Sequence, residues 1–106
     1  MITVSCDRCI DRFIVSVDGH AEYGEAGYDV VCAAASVLAF TLYRAVKLLD
    51  EEGEVSLFSH SISKGDAEFD FTVKERALEK AEAVVDSILE GYLLLEESYP
   101  ECVRVV

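Results

Sequence analysis

The sequence predicts an α+β domain in which two helices pack on one face of a mainly antiparallel sheet, in the order β-β-α-β-β-α-β. Several short stretches alternate apolar and polar residues, which is typical of half-buried strands. Two longer stretches are typical of helices: 29–49 begins with turns that are apolar almost all round, and 74–98 repeats apolar residues at three- and four-residue steps. The 106 residues, 52% of them hydrophobic, suffice for one domain with its own core, spanning residues 1–106.

The first two strands are predicted at residues 2–6 and 13–17 as a hairpin. Ile2 and Val4 alternate with polar residues in the first stretch, and Phe13, Val15 and Val17 form one face of the second. The charged residues between them, 7–12, are interpreted as a loop. Asp18-Gly19 then ends the second strand and begins a glycine-containing segment that extends to Gly27.

The first helix is predicted from about Asp29 to Leu49. Its first turns are apolar almost all round, which indicates cover on more than one side, by the sheet and by loops or a partner subunit. Arg44, Lys47 and Asp50 mark a solvated face nearer its end. Glu51-Glu52-Gly53 ends the helix.

The second half repeats the pattern of two strands and a helix. Val55, Leu57 and Ser59 predict a third strand, and a turn at 64–66 leads to a fourth at 67–73. Pro100 ends the second helix, and Val103 and Val105 predict a short final strand beside Cys102. The second helix is expected to bury residues at helical spacing: Ala77, Ala81, Val84, Val85, Ile88, Tyr92 and Leu95.

The net charge of −12 argues against nucleic acid as a partner, because phosphate binding needs clustered lysines and arginines. An acidic surface favours encounter with a basic protein, although solubility alone also explains it. No uninterrupted apolar run approaches about 20 residues, and no signal peptide precedes the first strand, so we expect no membrane insertion and a cytoplasmic location.

Cys32 is the principal candidate for chemistry, because it lies in the first turn of the first helix. Backbone N–H groups without helical partners and the positive end of the helix dipole favour the thiolate there. Asp29 is placed to cap the helix start with its carboxylate. The alternative is a packed thiol, since cysteine among valines and alanines often behaves as a small hydrophobe.

His20 lies upstream in the glycine-containing loop and is the candidate general base. Gly19 and Gly24 flank it, so the loop could close the imidazole over the thiol. The alternative is a histidine in a surface turn. Tyr23 and Tyr28 flank the same loop and are candidates for gripping a peptide, whereas His60 lies in a serine-rich strand end without a glycine hinge.

Cys6 and Cys9 form a C-x-x-C, which suggests zinc or redox chemistry. Zinc needs four ligands, and the sequence has no second C-x-x-C or histidine pair. A redox motif would precede a helix, whereas this pair follows a strand. We interpret the spacing as coincidence, with a metal half-site shared between two chains and a redox pair as the alternatives.

The run Gly19-His20-Ala21, then Gly27, Asp29, Val31-Cys32-Ala33-Ala34 and Ser36, resembles the ribosomal-processing cysteine protease family, called Prp. The opening Met1-Ile2-Thr3-Val4 and the acidic end of the second helix, Glu96-Glu97-Ser98-Tyr99, resemble it too. Cys6-Asp7-Arg8-Cys9 and Ala35 depart from the family pattern, away from the two matched chemical residues.

The resemblance implies a cysteine endopeptidase that removes the N-terminal extension of a basic, large-subunit ribosomal protein. It implies a Cys32–His20 dyad without metal or cofactor, and a homodimer. Asp29 and Ser36 would support the dyad or bind substrate, and Gly19 would belong to the moving loop. The alternative function is a ribosome-associated peptide-binding module without catalysis, in which Cys32 is a core residue.

Overall fold

The predicted order of strands and helices is confirmed in a computed structural model that describes residues 1–20, 30–63 and 65–106. The sheet has the order β3-β4-β2-β1-β5 and is antiparallel except for β5, which runs parallel to β1. The elements are β1 (Ile2–Cys9), β2 (Arg12–Asp18), α1 (Val30–Glu51), β3 (Val55–Ser63), β4 (Asp66–Val73), a short 3-10 helix (Glu75–Ala77), α2 (Leu78–Ser98) and β5 (Val103–Val105).

The hairpin of β1 and β2 is longer than predicted, and the prediction of a loop at 7–12 is wrong. Asp7 pairs with Ile14 and Cys9 with Arg12, which leaves Ile10 and Asp11 as the turn. Ile10 has a φ of 58° and is exposed. A non-glycine residue is rare in this left-handed region, so the two-residue turn is closed at some conformational cost.

Charged residues near this turn have partners on other elements, which explains why the strands extend through them. Arg12 donates to both carboxylate oxygens of Asp70 on β4, at 2.9 and 2.7 Å. Arg8 pairs with Asp86 of α2, and its guanidinium lies 5.5 Å from the centre of the Phe13 ring. A sequence pattern shows these charges but not the partners that keep them in a sheet.

β3 shows a second difference, because its apolar residues change faces part of the way along. A register shift separates Val55, which pairs with Val73, from Leu57, which pairs with Thr72. Leu57 is consequently 59% exposed, whereas Phe58 packs against the core beside Phe71. A bulge of this kind inserts one residue and moves every later side chain to the opposite face.

The two helices meet over the sheet, and a hydrogen bond joins them inside the core. The Tyr92 hydroxyl of α2 donates to the Ala35 carbonyl of α1 at 2.8 Å, and burial raises the pKa of Tyr92. Gly91 lets the helices approach closely, because a Cβ there would lie 2.6 Å from a Leu38 methyl carbon. The burial predicted for the second helix is confirmed at Ala77 of the 3-10 helix and at Ala81, Val85, Ile88 and Tyr92 of α2, while Val84 and Leu95 are partly buried.

α1 is long and apolar enough to cross a membrane by length and composition, with a mean hydropathy of 1.5 over its most apolar window. A core helix of a two-layer domain has the same composition, and α1 contributes one stripe to the common core. The glycine predicted to end it does so, since Gly53 has a φ of 78° and its N–H donates to the Asp50 carbonyl at 3.0 Å. The buried residues of α1 are Val31, Ala35, Ala39, Leu42, Val46 and Leu49.

We predict that Tyr92→Phe lowers the free energy of unfolding by about 1 kcal/mol, because it removes one buried hydrogen bond while keeping the ring. Urea denaturation measures the change. Tyr43→Phe is the control, since that ring is only half-buried and the substitution keeps its tilted contacts with the Phe58 and His60 rings. Equal stability of Tyr92→Phe and the unaltered protein would show that the bond between the helices contributes nothing.

Candidate active site

One cavity lies where the end of β2, the first turns of α1 and the turn between β3 and β4 meet. Its volume is about 1030 Å³. β2 lies between β4 and β1 in the sheet, so the residues that follow it lie close to the ends of both neighbouring strands. The lining residues are Ile2, Val17, Gly19, His20, Cys32, Ala33, Ala35, Ser36, Ala39, Phe40, Ile62, Ser63, Gly65, Asp66 and Ala67.

His20 follows β2 directly, and backbone contacts fix the chain on both sides of it. The Gly19 N–H donates to the Gly65 carbonyl at 2.7 Å, and the Met1 amino group donates to the His20 carbonyl. Gly19 has a φ of 105°, and a Cβ there would lie 2.1 Å from the Met1 carbonyl oxygen. Only glycine therefore fits at this position. These contacts place the imidazole at the cavity wall.

Cys32, Ser36 and Phe40 line the same cavity from α1. Their spacing of four residues places them along one stripe of the helix, over about 12 Å at 1.5 Å per residue. Cys32 is the third residue of α1 and is half-buried, packed against the core. At this position the N–H groups of the first turn have no partner within the helix and point towards its N-terminal end. The thiol thus lies beside a group of hydrogen-bond donors.

Between these polar residues the lining is apolar and mostly small. Ala35, Ala39 and Ala67 are buried, and Phe40 and Ile62 add larger apolar surface. A second hollow of about 550 Å³ continues along α1 past Val37 and Thr41 to Arg44. Ser36 and Phe40 line both hollows, so the two adjoin and form an open groove along α1 that begins at Cys32.

Four residues predicted to belong to the site lie together on this cavity: Gly19, His20, Cys32 and Ser36. Asp29, Gly27, Tyr23 and Tyr28 lie outside the described residues. His60, which the sequence made the weaker candidate, packs 4.8 Å from the Tyr43 and Phe58 rings, measured between ring centres. It does not line the cavity as described.

The sequence interpretation missed the contribution of the turn between β3 and β4. Ser63, Gly65 and Asp66 line the cavity, yet the sequence marks Gly65 and Asp66 only as part of a turn and gives Ser63 no role. Their proximity to His20 follows from β4 pairing with β2, which matches Asp66 to Asp18. The available signal was the glycine itself, because a glycine in a hairpin turn often has a left-handed φ, but it does not indicate what lies against it.

The other cysteines lie elsewhere in the fold. Cys6 and Cys9 both belong to β1, where residues three apart point to opposite faces at about 10 Å separation. That geometry does not suit a disulfide between them or one ion held by both thiols. Cys102 is buried beside β5, as expected. In the described ranges, no three histidines, cysteines or acidic residues are grouped so that they could hold a metal ion.

Known proteins resemble this chain along most of its length. The family model described as Cysteine protease Prp matches residues 1–104. Ribosomal processing cysteine protease Prp of Staphylococcus aureus is 28% identical over 92 residues, 86% of this chain and 82% of that protein. The Bacillus subtilis protein of that name is 28% identical over 109 residues, 99% of this chain and 96% of its own length.

A solved structure shows the same fold. The chain matches the crystal structure of an essential ribosomal processing protease Prp from Staphylococcus aureus in complex with a covalently linked product peptide. The TM-score is 0.71 at 26% sequence identity, and the match covers 99% of this chain and 97% of that chain. The order of elements and the sheet therefore agree with a structure that holds a peptide.

Proposed function

Because the chain belongs to the Prp family of cysteine proteases, we propose that it removes the N-terminal extension of a large-subunit ribosomal protein, using Cys32 and His20 as a catalytic dyad. The observation that carries the proposal is that the thiol-bearing start of α1 and His20 line one cavity. The named relatives are ribosomal processing proteases, and a ribosomal substrate puts the proposed reaction in the cytoplasm.

The proposed reaction begins with transfer of the Cys32 Sγ proton to the His20 imidazole. The thiolate attacks the scissile carbonyl carbon and forms a carbon–sulfur bond. When the tetrahedral intermediate collapses, the carbon–nitrogen bond breaks and the imidazolium donates its proton to the leaving amine. A water then attacks the thioester, with His20 accepting a proton from it, and the carbon–sulfur bond breaks to release the carboxyl product.

The start of α1 supplies the electrostatic part of this mechanism. N–H groups of the first helical turn have no helical partners and carry partial positive charge. An oxyanion that forms on the carbon attacked by Cys32 would lie within reach of such donors. Donors placed in advance at a developing oxyanion commonly lower the barrier by several kcal/mol. The same dipole favours the thiolate before attack.

The groove along α1 suits an extended peptide on one side of the thiol. From Cys32 to Phe40 it spans about 12 Å, which is three to four residues of extended chain. Ser36 offers a hydroxyl within the groove, while Phe40 and Ile62 offer apolar surface for a side chain. The relative solved with a covalently linked product peptide shows that this fold accommodates a peptide.

We predict that Cys32→Ala and His20→Ala each abolish cleavage of the matching ribosomal protein, because each removes one half of the dyad. Gel analysis and mass spectrometry of the product measure cleavage. His60→Ala and Cys102→Ala are matched controls, since neither residue lines the described cavity, and both should retain activity. Normal cleavage by either dyad variant would show that the assignment is wrong.

Thiol labelling distinguishes the protease from a binding module without catalysis. Iodoacetamide at pH near 7 should label Cys32 faster than the exposed Cys9, and His20→Ala should slow labelling at Cys32 alone. A merely packed thiol would react slowly in both proteins. Slow labelling together with tight binding of the uncleaved substrate would favour the binding module.

We predict that kcat/KM for the full-length basic substrate falls as salt rises, because the net charge of −12 speeds encounter with a cationic partner. Screening shortens the range of that attraction to about 8 Å at physiological ionic strength. A short neutral peptide containing the cleavage sequence is the control and should show little salt dependence. Equal salt dependence for both substrates would contradict electrostatic steering without contradicting the proposed catalytic mechanism.

We also propose that the protein is a homodimer formed through the exposed stripe of α1. Val30 and Leu48 are 57% and 58% exposed on this helix. Leu48→Glu should produce a monomer in sedimentation at concentrations where the unaltered chain is dimeric, because it buries a charge in an apolar interface. Leu94→Glu, at an equally exposed position of α2, is the control and should remain dimeric. A monomeric unaltered protein would contradict the proposal.

A further inference from the structure

We propose that Gly65, in the turn between β3 and β4, is a positioning residue for the His20 imidazole. Having no side chain, it leaves the space in which the ring lies. The inference rests on the proposed function, since it concerns His20 as the general base. It adds a residue 45 positions away in sequence to the group that sets the dyad geometry.

The contact between this glycine and the imidazole is closer than any side chain allows. A Cβ on Gly65 would lie 2.5 Å from both Cε1 and Nε2 of His20, and 3.2 Å from Nδ1. Such a carbon would overlap the ring, because carbon atoms in contact lie about 3.5–4.0 Å apart. The Cε1–Nε2 edge of the imidazole therefore lies directly against the backbone of the turn.

The turn is held in place relative to the backbone of His20. The Gly65 carbonyl accepts the Gly19 N–H at 2.7 Å, and Gly19 immediately precedes His20. On either side of the turn, Ser63 pairs with Asp66. One hydrogen bond therefore connects the backbone beside the His20 ring to the turn that contacts the ring. A side chain added at Gly65 would displace the ring directly.

A methyl group at this position should move the imidazole rather than unfold the protein. His20 is exposed, and its ring lies at the end of a side chain that can rotate away. Displacement of a catalytic group by about 1 Å can lower a rate by about 100-fold. The expected consequence of Gly65→Ala is therefore loss of turnover with a small loss of stability.

Gly53 provides a matched control within the same chain. It has a φ of 78°, close to the 82° of Gly65, but a Cβ there would have no atom within 4 Å. Alanine at either position bears the same left-handed backbone strain. Only at Gly65 does the added methyl group also meet His20.

The test compares Gly65→Ala with Gly53→Ala by steady-state cleavage and by NMR of the two histidines. Gly65→Ala should lower kcat by about 10- to 100-fold, with KM little changed, whereas Gly53→Ala should stay within about twofold of the unaltered protein. The Cε1–H resonance of His20 should shift only in Gly65→Ala, and that of His60 in neither. Gly65→Asn should lower kcat similarly with less strain, because asparagine tolerates left-handed φ.

Equal activity of Gly65→Ala and Gly53→Ala, or an unshifted His20 resonance, would overturn the inference. If Gly65→Ala fails to fold, Gly65→Asn decides by the same two measurements. A complete lack of cleavage by the unaltered protein would instead contradict the proposed function. The His20 resonance would then still show whether Gly65 sets the place of the ring.

Discussion

The candidate site depends on one hydrogen bond, which the Gly19 N–H donates to the Gly65 carbonyl. It ties the end of β2 to the turn that precedes β4, at the edge where α1 begins. β2 is flanked by β1 and β4, so its end cannot shift without disturbing two ladders. The chain that bears His20 is thereby held beside the first turn of α1, and both residues of the proposed dyad line one cavity.

α1 is apolar on several sides because each side has different surroundings. One stripe, including Val31 and Leu42, lies in the core with the sheet, and Ala35 also accepts the Tyr92 hydrogen bond. The stripe from Cys32 to Phe40 lines the groove. Val30 and Leu48 are exposed on the helix, and we propose that a second copy packs there. Of the cover that the apolar first turns predict, the core side is confirmed at Val31 and Ala35, and cover by a loop or a partner subunit stays a prediction.

Local patterns were sufficient to predict much of the fold. Alternation identified the buried faces of β2 and β4, and helical spacing identified most of the buried face of α2. The patterns failed where a partner from another element decides the outcome. Arg12 stays in a strand because its guanidinium binds the Asp70 carboxylate on β4, and Leu57 is exposed because a bulge shifts the register of β3. Neither partner nor bulge is visible in the local sequence.

The same distinction applies to the candidate site. Cys32 and Ser36 could be predicted to share a helix face, and His20 could be placed in the loop before that helix. Gly65 could not be connected to His20, because their contact depends on how β4 pairs with β2. Strand pairing brings together residues far apart in sequence, and a glycine shows nothing of its neighbours until that pairing is known.

Intact-protein mass spectrometry of the acyl-enzyme tests the central claim most directly. The protein is mixed with a peptide that spans the cleavage site, quenched in acid within one turnover, and digested to locate the modified residue. The account predicts a transient adduct on Cys32 with the mass of the N-terminal fragment less one water, which is absent from Cys32→Ala. Cleavage without any adduct, or an adduct on Cys6, Cys9 or Cys102, would contradict it.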